Sequence, residues 1–100
     1  MIPKVRRRRT KNRQAVAAAL LQRPHGRHWA YALGQITGLR EGMVPPILAA
    51  MTADGWLTDS WEEPGTTQGR PARHYYELTD LGRERLRELV ASRPDRRRRT

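Results

Sequence analysis

Neither cysteine nor phenylalanine occurs in this chain of 100 residues. The first absence excludes a disulfide framework and every cysteine-based zinc site, and it suits a reducing cytoplasm. The second leaves the core to Leu, Ile, Val, Ala, Met and three Trp. Long apolar runs are missing too, so no stretch reaches the length a membrane span needs. Ala15–Leu21 follows a basic start, as the apolar part of a signal peptide would. It is short, however, and runs into Gln22 and Arg23 without a small-residue cleavage site. Catalytic settings are also wanting. Ser60 and Ser92 lack a Gly-x-Ser-x-Gly surround. Gly65-Thr66-Thr67-Gln68-Gly69 lacks the lysine of a phosphate-binding loop. His25 and His28 stand three apart with no cysteine or adjacent carboxylate to complete a metal site, and His25 is expected to hold its turn by a hydrogen bond. The chain reads as a non-enzyme that uses no metal and no cofactor.

Acidic charge is scarce, with 10 Asp+Glu against 20 Lys+Arg, for a net +10. Its placement matters more than its sum. Residues 1–13 hold Lys4, Arg6, Arg7, Arg8, Arg9, Lys11 and Arg13, which is +7. Residues 93–100 hold five Arg against Asp95, which is +4. Taking both from +10 leaves −1 for the stretch between. A nearly neutral domain over residues 12–92 is therefore expected between a basic, disordered arm (residues 1–11) and a basic tail (residues 93–100). Such ends bind polyanions. One domain of this length lies near the small end of what folds alone.

In chain order, Thr10 or Asn12 can cap a small-residue helix to about Gln22. Arg23-Pro24-His25-Gly26 turns the chain, and a second helix is expected over about Arg27 to Gly34. Its inner face is Trp29, Ala30 and Leu33. Arg27, His28 and Tyr31 are its candidates for the outside. Val44, Ile47, Leu48 and Met51 fall at i, i+3, i+4 and i+7, one face of a third helix. Pro45 and Pro46 are tolerated only in its first turn, so it begins near Met43. Gly55 is its stop. A strand over 56–63 places Leu57, Asp59 and Trp61 on one face, and the returning strand covers 70–78, with Tyr75 and Tyr76 on opposite faces. Thr79 caps a last helix to about Ser92. The fold class is mainly α with a β-hairpin, in the order helix-helix-helix-strand-strand-helix. That is a winged helix-turn-helix.

Several pieces then carry a resemblance. They are Pro24-His25-Gly26, the run from Gly42 through Leu48, Asp54-Gly55-Trp56-Leu57, Trp61-Glu62-Glu63, Gly69-Arg70-Pro71-Ala72-Arg73-His74-Tyr75-Tyr76 and Leu78-Thr79-Asp80-Leu81-Gly82-Arg83. Their order and spacing resemble the PadR-like winged-helix transcription regulators over about residues 12–90. The resemblance implies a homodimeric repressor that binds double-stranded DNA, with a helix in the major groove and a wing on the backbone or minor groove. The chain departs from the family pattern in four places. Pro45 stands where Tyr is usual, Arg40 where a small capping residue is usual, and Arg27 where an aromatic is common. Only one short helix follows the wing.

A helix end in the major groove needs a few side chains that reach base edges. Arg40 can pair with guanine, Glu41 can accept from cytosine, and Met43, Val44 and Pro45 can meet thymine methyls. Val44 can equally belong to the core. Gln68, Arg70, Arg73 and His74 are the wing candidates, with strand pairing through Glu62 or Glu63 as the other role for the arginines. A dimer face is expected from Ala15 and Ala18 of the first helix with Leu81, Leu86, Leu89 and Val90 of the last. The expected location is the cytoplasm, on the nucleoid. Two other functions compete: an architectural or accessory DNA-binding protein of a plasmid or phage, and a protein-interaction module for an acidic partner. No small-molecule effector is legible.

Overall fold

The computed structural model describes residues 4–92, with side chains from Thr10 onward. The elements are α1 (Lys4–Leu21), α2 (Ala30–Thr37), α3 (Val44–Ala53), β1 (Leu57–Trp61), β2 (His74–Leu78) and α4 (Asp80–Ala91). Their order is that of the winged helix-turn-helix expected above.

α1 begins at Lys4, well before the Thr10 or Asn12 cap expected for it, and so runs through the boundary placed at residue 11. Lys and Arg are good helix formers, and no Gly or Pro separates Lys4 from the alanines, so nothing local stops the helix. Its buried face is made by Val16, Ala17, Ala19 and Leu20. The small side chains let α4 and α2 approach closely. Gln14 is also buried, and its Nε2 donates to the Leu89 carbonyl at 3.2 Å, tying α1 to the end of α4.

After the turn the chain does not re-enter a helix at Arg27. The residues ahead of α2 are extended instead: His28 N–H donates to the Tyr76 carbonyl at 2.9 Å, and the His28 carbonyl accepts from Tyr76 N–H at 2.7 Å. This bridge adds a short third member beside β2. Two backbone hydrogen bonds in the sheet outweigh the helical pattern of Arg27 to Trp29. α2 therefore starts three residues later than expected and runs past Gly34 to Thr37. Gly38 then takes φ +75°, and its N–H caps the Gly34 carbonyl at 2.8 Å. His25 is exposed and does not hold the turn. Buried His28 does so, from Nε2 to the Arg23 carbonyl at 3.0 Å.

α3 has both prolines in its first turn and Met43 as an N-cap without a side-chain cap. Pro45 and Pro46 have no N–H, so fewer orphan donors need one. Val44, Leu48 and Met51 are buried and Ile47 is packed against them. The helix ends as expected, with Gly55 at φ +83°.

The hairpin pairs Leu57 with Leu78, Asp59 with Tyr76 and Trp61 with His74. Its regular strands are shorter than the patterns suggested, because the segments beyond them close a loop around Glu62. Leu57, Leu78 and Tyr76 plug the core from the hairpin's root, while Tyr75 lies half-buried on the opposite face. Thr79 caps α4, its Oγ1 accepting from Gly82 N–H at 2.9 Å. One expectation fails on α4. Leu86, assigned to a dimer face, is 0% exposed within its own chain. α4 lies on α1 of the same subunit, and that contact uses up the Leu86 side chain.

Candidate nucleic-acid interface

α2 and α3 are joined by a tight connection in which Gly42 takes φ +89° and Met43 N–H donates to the Arg40 carbonyl at 3.0 Å. This turn lifts Arg40, Glu41 and Met43 off the body at the N-terminal end of α3, and all three are exposed, as is Pro45. Among the described residues no ion pair engages Arg40. Tyr31, 65% exposed on the first turn of α2, shares with Arg40, Glu41 and Pro45 a cleft of about 420 Å³. Val44 is the exception. It is 3% exposed and part of the core, so of its two expected roles the structure selects packing. The cause is helical phase, since Val44 lies on the same stripe as Leu48 and Met51.

The wing arginines are not equivalent. Glu62 is a hub that accepts from Arg70 Nη1 and Nη2 at 2.8 and 3.1 Å, from Arg73 N–H at 2.9 Å and from the Tyr75 hydroxyl at 3.4 Å. The Arg70 guanidinium is thus held by a fork-shaped ion pair across the base of the loop, the alternative to DNA contact weighed above. Arg73 Cζ instead lies over Trp29, 4.1 Å from the ring centroid, and Arg27 Cζ lies 4.1 Å over the Tyr75 ring. Both guanidiniums are backed by an aromatic face rather than neutralised by a carboxylate. Gln68 sits exposed at the loop tip with φ 54°. His74 is half-buried and occupied at both nitrogens: Nε2 donates to Asp59 Oδ2 at 2.6 Å, and Nδ1 is 3.2 Å from the Tyr76 hydroxyl. Trp61, 64% exposed, stacks on its ring at 4.3 Å.

Other expected contacts are redistributed. His28, a candidate for the outside, is 5% exposed under the sheet bridge and is withdrawn from the interface. Arg13 is half-buried, 5.6 Å from the Trp56 ring centroid, and Lys11 is exposed. The side chains of Arg6, Arg7, Arg8 and Arg9, and the whole tail 93–100, lie outside the described residues. Of the residues expected at a dimer face, Leu81 is 40% exposed, whereas Ala15, Ala18, Leu89 and Val90 are half-buried. The cation–aromatic pairs went unforeseen. Partners such as Arg73 and Trp29 are far apart in sequence and share no periodic pattern.

The hub has a pH signature. The Arg70 guanidinium, then the Arg73 N–H, hold the Glu62 carboxyl down to about 2 against an ordinary 4.5. The folded state therefore binds the proton less readily than the unfolded chain. Its stabilisation is complete above 4.5 and is lost as pH falls from there toward 2. Over this window the melting temperature of the parent chain should drop more steeply than that of Glu62→Gln. Parallel acid profiles for the two proteins would show that the hub does not form in solution.

The family model described as the transcriptional regulator PadR-like family matches residues 18–88. This chain belongs to the PadR-like family. Its members are DNA-binding transcription regulators and not enzymes. Solved structures agree. A PadR-like transcription factor from Bacteroides fragilis is 31% identical, with a TM-score of 0.70 over 89% of this chain and 85% of that one. The smu.1704 protein of Streptococcus mutans UA159 is 25% identical, with a TM-score of 0.66 over 84% of this chain and 76% of that one. A PadR family transcriptional regulator from Eggerthella lenta DSM 2243, 23% identical, shares the fold at a TM-score of 0.63 over 82% and 74%. No curated protein matches the chain. Among the described residues no helix is long and apolar enough to cross a membrane.

Proposed function

We propose that this PadR-like chain is a sequence-specific repressor that binds double-stranded DNA as a homodimer, with the N-terminal end of α3 in the major groove. One observation carries this reading. α3 buries one stripe, Val44, Leu48 and Met51, and leaves Arg40, Glu41, Met43 and Pro45 exposed at its start with no role in the core. A side chain that neither packs nor pairs within its own domain is free to meet a base edge. Arg40 supplies the fork that suits guanine. Tyr31 flanks it, and the wing approaches the backbone or minor groove through Arg73 and Arg27, while Arg70 shapes the loop through Glu62. The basic arm and tail add contacts that carry no sequence information. Leu81, with the edges of Leu89 and Val90, is the remaining dimer surface on α4. Repression follows from occupancy of the operator, on the nucleoid in the cytoplasm.

Selection of binding sites from random DNA tests this reading. Recovered sites should bind about 10³-fold or more tightly than random duplex at physiological salt. In the same assay Arg40→Ala should lose about 1–3 kcal/mol at one base position and relax preference there, with melting unchanged. Failure to enrich any sequence would favour the architectural role. An unaltered preference in Arg40→Ala would remove this helix end from base reading.

A further inference from the structure

Arg27 and Trp29 lie on the extended segment beside β2, held there by the two backbone hydrogen bonds between His28 and Tyr76. His28 and Tyr76 face inward, both buried. Strand alternation therefore puts Arg27, Trp29, Arg73 and Tyr75 together on the opposite face. In this antiparallel register Trp29 is diagonal to Arg73, and Arg27 is diagonal to Tyr75. Long and aromatic side chains still meet at that offset. Two crossed pairs result, each with its guanidinium carbon 4.1 Å from a ring centroid. Arg73 Nη1 also donates to the Tyr75 hydroxyl at 3.4 Å, and the Trp29 ring lies 5.5 Å from that of Tyr31. The series Arg27, Tyr75, Arg73, Trp29, Tyr31 thus leads from the wing to the cleft that Tyr31 shares with Arg40.

Each of the two arginines has a carboxylate nearby and is paired with a ring instead. Glu62 accepts the Arg73 N–H at 2.9 Å, yet its ion pair is with Arg70 and the Arg73 guanidinium lies over Trp29. Glu77 stands opposite Arg27 in register, yet the Arg27 guanidinium lies over Tyr75. Among the described residues neither Arg27 nor Arg73 is in an ion pair. A carboxylate would cancel the charge of a guanidinium and occupy its donors. An aromatic face attracts the same group through the ring quadrupole, keeps its charge, and leaves N–H groups for another acceptor. It also orders a long side chain before any partner arrives, so less rotamer freedom is lost on contact.

We propose that Trp29 and Tyr75 are positioning residues for DNA. Trp29 holds the Arg73 guanidinium, and Tyr75 holds that of Arg27, away from Glu62 and Glu77 and ready for duplex phosphates. Neither ring has to touch the duplex. The proposal rests on the reading above that the wing meets DNA through these two arginines. It adds that their charge is available because of two rings, one on the segment before α2 and one on β2. If the rings serve folding alone, their loss should affect melting and leave the salt dependence of binding as it was.

The test uses the full chain and a duplex carrying the selected site, with affinity measured at several salt concentrations and melting followed in parallel. Arg73→Ala should weaken binding and flatten the slope of log K against log salt by about 0.9, the share of one phosphate contact. Trp29→Leu keeps every charge and an apolar side chain. It should nevertheless weaken binding by about three- to tenfold, the worth of a cation–ring contact, and flatten the slope in the same direction. In the Arg73→Ala background Trp29→Leu should have no further effect. Trp29→Phe, which keeps a ring, should bind nearly as the parent does. Tyr75→Leu and Arg27→Ala form a second cycle with the same expectation, and it decides the matter should Trp29→Leu fail to fold. Parent affinity and slope in the leucine variants, or effects that simply multiply in the double variants, overturn the proposal. If the arginine variants still weaken binding in that case, the wing reading stands and only the positioning role falls. If both arginine variants bind as the parent does, the wing reading falls and the positioning role with it.

Discussion

Gly82→Ala should lower the melting temperature by roughly 12–24 °C, the shift that about 3 kcal/mol makes in a domain of this size. The substitution looks benign on sequence grounds, because alanine is favoured over glycine in a helix by about 1 kcal/mol. Packing reverses the sign. A Cβ at position 82 would stand 1.9 Å from the Trp56 carbonyl oxygen and 2.8 Å from its carbon. Both are backbone atoms, so no rotamer change relieves the clash, and α4 must move away from the start of the hairpin. That movement pulls on the bonds that seat α4. Thr79 N–H donates to the Trp56 carbonyl at 3.0 Å, and Thr79 Oγ1 donates to the Gly55 carbonyl at 2.8 Å while capping Gly82. Overpacking of this kind costs about 1–3 kcal/mol, more where backbone must shift, and the lost cap adds about 1. Gly34→Ala is the internal control. No atom lies within 4 Å of its added Cβ, so this change in α2 should stabilise by up to about 1 kcal/mol. Scanning calorimetry of both variants decides the matter. If Gly82→Ala melts with the parent chain, α4 does not sit against Trp56 as described.

Removal of residues 1–9 and 94–100 should cost more DNA affinity than any single substitution at the helix end. The ends hold all of the net positive charge, +7 and +4 against −1 between them. Each phosphate neutralised releases condensed counterions, and log K falls against log salt with a slope of about −0.9 per contact. The trimmed residues carry +5 and +3 of this charge. If half of it meets phosphate, trimming should flatten the slope by roughly 3–4 units per subunit. From 50 to 200 mM salt, the full chain should then lose on the order of a hundred-fold more affinity than the trimmed one. The preferred sequence should survive, because phosphate contacts position the protein and base contacts specify the site. Melting should change little, since the described core of α1 begins only at Gln14 and Val16. Binding measured at several salt concentrations checks this. Parallel lines for the two proteins would mean that the arginines contribute no phosphate contacts.

Much of this molecule follows from local chemistry, which a single chain displays in order. The 3.6-residue stripe of Val44, Leu48 and Met51, the prolines that can stand only in a first turn, the stop at Gly55 and the Thr79 cap are all local, and each stands where the residues required. So do the family resemblance and the separation of charge into the two ends. Contacts between distant segments had no such trace. His28 left the interface because Tyr76, far along the chain, offered its backbone two hydrogen bonds. Leu86 is not available for the dimer face expected of it, because it is buried within its own chain, where α4 packs on α1. Arg70 and Arg73, three residues apart and alike in sequence, parted because the Arg70 guanidinium met Glu62 and the Arg73 guanidinium met Trp29. Helix and turn signals are short-range consequences of backbone sterics and periodicity. A side chain's partner is decided by whichever group the completed fold brings within a few ångströms, and only the tertiary structure contains that information.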